Sequence, residues 1–317
     1  MMKFRSLISL LSLVAAVTFP AGLRAQEPAT ADPAAPVHKT IGPADIIMPH
    51  ITDSHEIEVP CFKGWTEWQC SKQLPHMHVG GLDISLTKHV VFLMLSGVLT
   101  LALCLGVAAS HKRHSGEVGR PKGFGAGMEA VILYLRNEVY MPVLGGHGGE
   151  RYVPFCLTLF FFIMICNLIG LVPWGSTPTG NIAVTLTLAL ITFVVVEIAG
   201  MRALGAGYLG TIIYWPHDMS LPMKMGLTLI LTPVELAGKI TKPFALTIRL
   251  FANMMAGHVI ILALIGLIFM FGWSVAFGSI PMALFIMGLE LMVAFIQAFI
   301  FSLLAAVFIG QIRAAHH

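Results

Sequence analysis

Apolar positions in this chain come in blocks as long as a bilayer is thick, rather than at alternate positions of a strand or on one face of a short helix. The first block, His89 to Ala109, is closed by the basic run His111-Lys112-Arg113-His114, with Arg120 and Lys122 close behind. Because Lys and Arg are in excess in cytoplasmic loops, that run marks the inner side. Gly127 to Val143 is interrupted by Glu129, Arg136 and Glu138, which predicts an amphipathic helix lying in the interface. Val153 to Trp174 is a second span leading out to the uncharged loop Gly175 to Gly180. Ile182 to Gly200 is a third, returning to Arg202.

The last two apolar runs are longer. Thr232 and Glu235 read as a T-x-x-E capping box with Pro233 at the first helical position, and the apolar pattern then persists to about Met270. Val234 to Met270 is 37 residues, about 55 Å of helix against a hydrocarbon thickness of about 30 Å. Pro243 offers a kink point. Ser279-Ile280-Pro281 starts another long run to about Ile312, roughly 48 Å by the same rise. The pattern therefore predicts an all-α integral membrane protein with about five membrane helices, the last two a steeply tilted hairpin, plus the interfacial helix.

Ahead of the first span the text changes character. Lys3 and Arg5 precede an apolar core, Leu7 to Phe19, so residues 1–25 read as a signal peptide. Residues 26–88 are polar, with eight acidic residues against four lysines and no sustained period; they read as an external, partly disordered extension before the membrane domain of residues 89–317. Its histidines, His38, His50, His55, His76 and His78, lack zinc-type spacing and predict no metal site. Cys61 and Cys70 lie there too, either bridged in an oxidising compartment or left as thiols.

With 56% hydrophobic and only 11% charged residues in 317, against about 25% charged in soluble domains, the chain cannot bury its apolar surface in one globule. The formal net charge of +3 is scattered, which excludes a nucleic-acid footprint.

Ionisable residues at membrane depth are costly, so each one here asks for a reason. Glu235, Gly238, Lys242, Ala245, Arg249, Asn253 and Ala256 recur at intervals of three or four and form one small or polar stripe. Arg249 keeps its charge at any working pH and lowers the pKa of a carboxylate brought to it; the alternative is a structural ion pair with a glutamate of the same chain. Glu290, Ala294 and Gln297 share a face of the final helix and could line a wet path or bond Arg249. His258 lies nine residues beyond Arg249, half a turn round the helix. It either passes protons on a separate route or sits neutral against Glu290. Glu235 and Asn181 can each be read as helix caps, and Lys242 and Glu197 as side chains reaching for the interface.

The stretch from Lys242-Pro243-Phe244-Ala245-Leu246-Thr247-Ile248-Arg249 through Asn253 to Gly257-His258, with Gln297-Ala298-Phe299-Ile300-Phe301 later, resembles the signature of subunit a of F-type ATP synthases. Asn167 to Pro173 and Pro178 to Thr185 resemble the same family's earlier motif, and the likeness spans roughly Met128 to Ile312. The resemblance implies a non-catalytic subunit of the bacterial inner membrane, with the extension outside and the C-terminus in the cytoplasm. Protons would pass through two offset half-channels to a rotating ring of c subunits, whose carboxylates meet Arg249. Glu235 would belong to the inner channel, and Asn181, Asn253, His258, Glu290 and Gln297 to the proton pathway. His258 and Glu290 match an acid–imidazole pair in the order similar to mitochondrial homologues. Implied partners are the c-ring, the b subunits of the peripheral stalk, lipids and the transported proton, with no cofactor.

Other classes fit less well. A sodium-coupled form of the same subunit is the nearest alternative, because ion choice rests mainly with the ring. A secondary solute transporter would show inverted repeats and paired helix breaks, and neither is present. No phosphate-binding G-x-x-x-x-G-K-[ST] loop and no H-E-x-x-H motif occurs.

Overall fold

The computed structural model describes residues 52–60, 69–74, 78–79, 82–83, 85–113, 123–145, 148–172, 175–211 and 221–314. Among the described residues, five helices are long and apolar enough to cross a membrane. They are α1 (Lys88–Arg113), α3 (Val153–Gly170), α4 (Ile182–Leu204), α5 (Leu221–Phe271) and α6 (Trp273–Ala314). Between α1 and α3 lies α2 (Phe124–Tyr134), prolonged by a π-helical turn, Leu135–Tyr140, and a short helix, Met141–Leu144. This matches the predicted all-α membrane architecture, span by span.

The final hairpin departs from expectation at both starts. Helix α5 begins at Leu221 and runs 51 residues through Pro233 and Pro243, about 76 Å at the standard rise. Thr232 is thus inside a helix rather than before one, and its buried hydroxyl has no hydrogen-bond partner among the described residues, so the capping box does not form. A capping residue must sit outside helical backbone for its side chain to reach back to free N–H groups, and the apolar residues from Met223 to Leu231 carry the helix past that point. Pro243 does not end it either. Helix α6 likewise starts before Ser279, at Trp273, and runs through Pro281. The whole turn is Gly272, at φ 78°, a left-handed conformation that glycine adopts without cost.

Helix α3 lies at the centre. Its buried Phe155, Cys156, Leu159 and Ile163 belong to the same core as Ala298, Ala305, Ala306 and Ile309 of α6. Small side chains on α6 let the two backbones approach closely, the usual basis of helix association in lipid. The segment after α2 is tied to α6 by Tyr140, whose hydroxyl donates to Ser302 Oγ at 2.8 Å, and by Arg313 Nη1, which donates to the Leu144 carbonyl at 2.9 Å. Large apolar side chains such as Met94, Leu229, Phe244 and Phe285 are exposed, as they must be where the solvent is hydrocarbon.

The extension contains strands that the sequence pattern did not predict. β1 (Glu56–Pro60) pairs antiparallel with β2 (Gln69–Gln73), and β3 (His78–Val79) with β4 (Leu82–Asp83). The alternation of Glu56-Ile57-Glu58-Val59 in β1 is too short a run to register as a period. The stretch before β1 docks on the start of α1: Ser54 O accepts from Lys88 N at 2.9 Å and Asp53 Oδ1 from His89 N at 3.2 Å. Both contacts satisfy amides that open a helix without intrahelical partners. The signal-peptide reading and Cys61 lie outside the described residues. Cys70 sits opposite Val59 in β2.

Candidate functional site

Where the loop between α3 and α4 folds over the bundle, polar side chains from four segments meet. Ser176 and Thr177 are buried, although they belong to a loop. Thr177 Oγ1 hydrogen-bonds His258 Nε2 of α5, and Ser176 Oγ lies 3.1 Å from His89 Nδ1 of α1, with either partner able to donate. His258 Nε2 stands 3.6 Å from Glu290 Oε1 of α6, a carboxylate only 4% exposed that accepts no hydrogen bond among the described residues. His258 and Glu290 can approach because Gly257 leaves room: a Cβ there would fall 2.6 Å from Glu290 Oε1.

A second polar branch lies beside the first. Thr179 Oγ1 donates to Asn167 Oδ1 at 2.7 Å, and Asn167 Nδ2 donates to the Ala294 carbonyl at 3.4 Å. Asn181 accepts from Ala183 N at 2.9 Å and is the N-cap of α4, the simpler of the two roles open to it in the sequence.

Arg249 is on another face of α5. It is exposed along with Glu235, Ala245, Asn253 and Ala256, so these positions of the predicted stripe point away from the rest of the chain, while Gly238 is half-buried and the exposed Lys242 reaches back to α6. Among the described residues Arg249 makes no hydrogen bond or ion pair, so neither Glu290 nor Gln297 bonds it, as the shared face had allowed. Gln297 is buried with Ala294 and Glu290 on α6, and Glu290 reaches His258 instead. The half-turn separation of His258 from Arg249 is realised.

Toward the α4 C-terminus lies a cluster invisible in the sequence pattern. Lys239 Nζ is 3.3 Å from Glu197 Oε2, donates to Tyr208 Oη at 3.1 Å and to Thr211 Oγ1 at 3.4 Å, and lies 4.6 Å from the Tyr208 ring centre. Glu197 is therefore paired rather than reaching for the interface. Lys242 rests its ammonium 5.0 Å from the Phe308 ring centre, a cation–π contact.

Sequence reasoning missed His89, Ser176, Thr177 and Lys239. The signal for two of them was the hydroxyl run Ser176-Thr177-Pro178-Thr179 in an apolar setting. His89 is an ordinary-looking residue at the start of α1, and Lys239 one within the long α5. Among the described residues no group of His, Cys, Asp and Glu is arranged to hold a metal.

Residues 90–310 match the family described as ATP synthase A chain. ATP synthase subunit a 2 of Chlorobaculum tepidum is 44% identical over 271 residues, 84% of this chain and 72% of that protein. ATP synthase subunit a of Chloroherpeton thalassium is 45% identical over 83% of this chain and 74% of its own length, and that of Myxococcus xanthus 44% over 78% and 79%. With its multi-pass helices, its exposed Arg249 stripe and this likeness over most of its length, the chain belongs to the ATP synthase A chain family, membrane components of ATP synthesis and ion transport.

Proposed function

We propose that the chain carries protons between two offset half-channels by way of a c-ring, with Arg249 as the fixed charge that the ring carboxylates meet. The observation that carries this reading is the exposure of Arg249 without a partner among the described residues, beside Ala245, Asn253 and Ala256. An unpaired Arg at the middle of a membrane helix costs about 2.5–3.5 kcal/mol on insertion scales, and a carboxylate supplied by another subunit offsets that cost. Small neighbours let such a surface come close and move past. The guanidinium does not release its proton, so it holds a ring carboxylate in the charged state without becoming a step in the proton path.

The outer half-channel runs through Thr177, His258 and Glu290, with Gln297 and Asn253 along the approach to the ring and Asn181 holding the start of α4. Glu235, exposed on the Arg249 face of α5, belongs to the inner one. This requires the extension outside, the C-terminus in the cytoplasm of a bacterial inner membrane, and b subunits to keep the chain from turning with the ring. The chain itself makes no ATP.

The test is ATP-driven proton pumping, followed by fluorescence quenching, in inverted vesicles carrying the complex with wild-type chain or Arg249→Ala. Pumping is lost with the complex assembled; normal pumping refutes the assignment.

A further inference from the structure

We propose that His89 is a second imidazole of the outer path, receiving protons where the extension docks and handing them through Ser176 and Thr177 to His258. The inference rests on the half-channel reading above and extends it by one residue toward the outside. Four polar side chains are buried here, His89, Ser176, Thr177 and Glu290, each at most 5% exposed; they form two linked groups, His89 with Ser176 and Thr177 with His258 beside Glu290, which meet at the adjacent residues 176 and 177. Burying polar groups in a bundle this apolar is costly unless they bond one another. Here the bonds run across elements. His89 to Ser176 joins α1 to the loop, and Thr177 to His258 joins the loop to α5.

The contrast with the rest of α1 is informative. Ser96 and Thr100 are also buried, but Ser96 Oγ donates to Phe92 O at 2.8 Å and Thr100 Oγ1 to Ser96 O at 2.7 Å. Those hydroxyls serve their own helix, whereas His89 turns outward to the loop. Its backbone N–H is held by Asp53 of the extension, which fixes the imidazole at the mouth of the path.

Each member both gives and takes a proton, as a relay requires. Imidazole does so through its two nitrogens and a hydroxyl through its oxygen. Protonated His89 gives its proton to Ser176 Oγ while the Ser176 hydroxyl releases its own to a water, which the proposal requires between the neighbouring hydroxyls of Ser176 and Thr177. That water passes one to Thr177, and Thr177 one to His258, so every intermediate member ends with the protons it began with. The Asn167–Thr179 branch cannot substitute, because an amide does not exchange protons this way.

The experiment measures passive proton flux through the membrane sector in vesicles stripped of the soluble catalytic part, in otherwise complete complexes. Two variants are compared: His89→Gln, which keeps a hydrogen bond to Ser176 but cannot relay, and His89→Ala, assayed with and without imidazole at the outer face. Flux falls to a small fraction of wild type in His89→Gln, and imidazole restores it in His89→Ala. Wild-type flux in His89→Gln shows a positioning hydrogen bond only and overturns the proposal, as does a His89→Ala deficit that imidazole leaves unchanged; whichever variant assembles decides. His258→Ala is run alongside. Low flux there with normal flux in both His89 variants overturns this inference alone, whereas normal flux in His258→Ala overturns the outer half-channel itself.

Discussion

Substituting Gly257 by Ala tests the meeting of α5 and α6 with a single methyl group. The new Cβ would lie 2.6 Å from Glu290 Oε1 and 2.8 Å from its Cδ, where ordinary contact starts at 3.4 Å. The carboxylate must therefore retreat from α5 by about 0.8 Å (3.4 − 2.6). His258 is on α5 too, so the same retreat carries Oε1 from 3.6 Å to as much as roughly 4.4 Å from Nε2, where the 4 Å limit of an ion pair is passed. Misplacements near 1 Å cost reacting groups as much as a hundredfold in rate. Proton flux in Gly257→Ala accordingly falls on the order of tenfold to a hundredfold, the wider value holding if the buried carboxylate cannot rotate back. The assay is passive flux through stripped vesicles, normalised to assembled complex. Gly226→Ala on the same helix is the control, since a Cβ there meets nothing within 4 Å. It carries the same gain in helix propensity, about 1 kcal/mol, without the displacement. Equal flux in the two variants refutes the claim that Gly257 sets the His258–Glu290 separation.

Two further outcomes follow from the packing. Lys239→Met leaves Glu197 without its cation and lowers the temperature at which the solubilised complex dissociates. The loss is about 3 kcal/mol, the low end for buried pairs because both partners are partly exposed. Glu197→Gln combined with Lys239→Met recovers most of it, and a double variant as weak as the single one refutes the pairing. Asn181→Ala removes the α4 cap and costs about 1 kcal/mol of stability, while Asn181→Asp keeps both cap and proton flux. Lost flux in Asn181→Asp, measured in the same vesicles, refutes the capping role as sufficient.

How legible the protein was depends on which interactions are local. Spans such as α1 and α4 were readable because twenty apolar residues have few other options, and Arg249 stood out because nothing in hydrocarbon tolerates it without cause. The start of α5 was misread: Thr232-Pro233-Val234-Glu235 satisfies the letter of a cap, yet the helix arrives from Leu221 already formed. A cap motif reports only what four residues could do in isolation. The Thr177 partner of His258 and the Lys239 partner of Glu197 were out of reach for a different reason, whereas Glu290 was already named as a possible neighbour of His258. Thr177 lies 81 residues from His258, and Lys239 lies 42 from Glu197, so only the packing of helices decides those meetings.

The arrangement of α5 suggests why one helix can hold both a fixed charge and a proton relay. Leu246, Leu250 and Met254 are each at most 3% exposed, and at 100° per residue they form a buried apolar seam. Arg249 projects on one side of that seam and His258 on the other, half a turn apart. Among the described residues His258 bonds Thr177 and stands beside Glu290, and no hydrogen bond joins it across this seam to the Arg249 face. In the proposed cycle the proton must leave Glu290 for a ring carboxylate and travel with it. Coupling then follows from the helix itself: the residues that carry protons and the residue that repels them are held together by one backbone and kept apart by three apolar side chains.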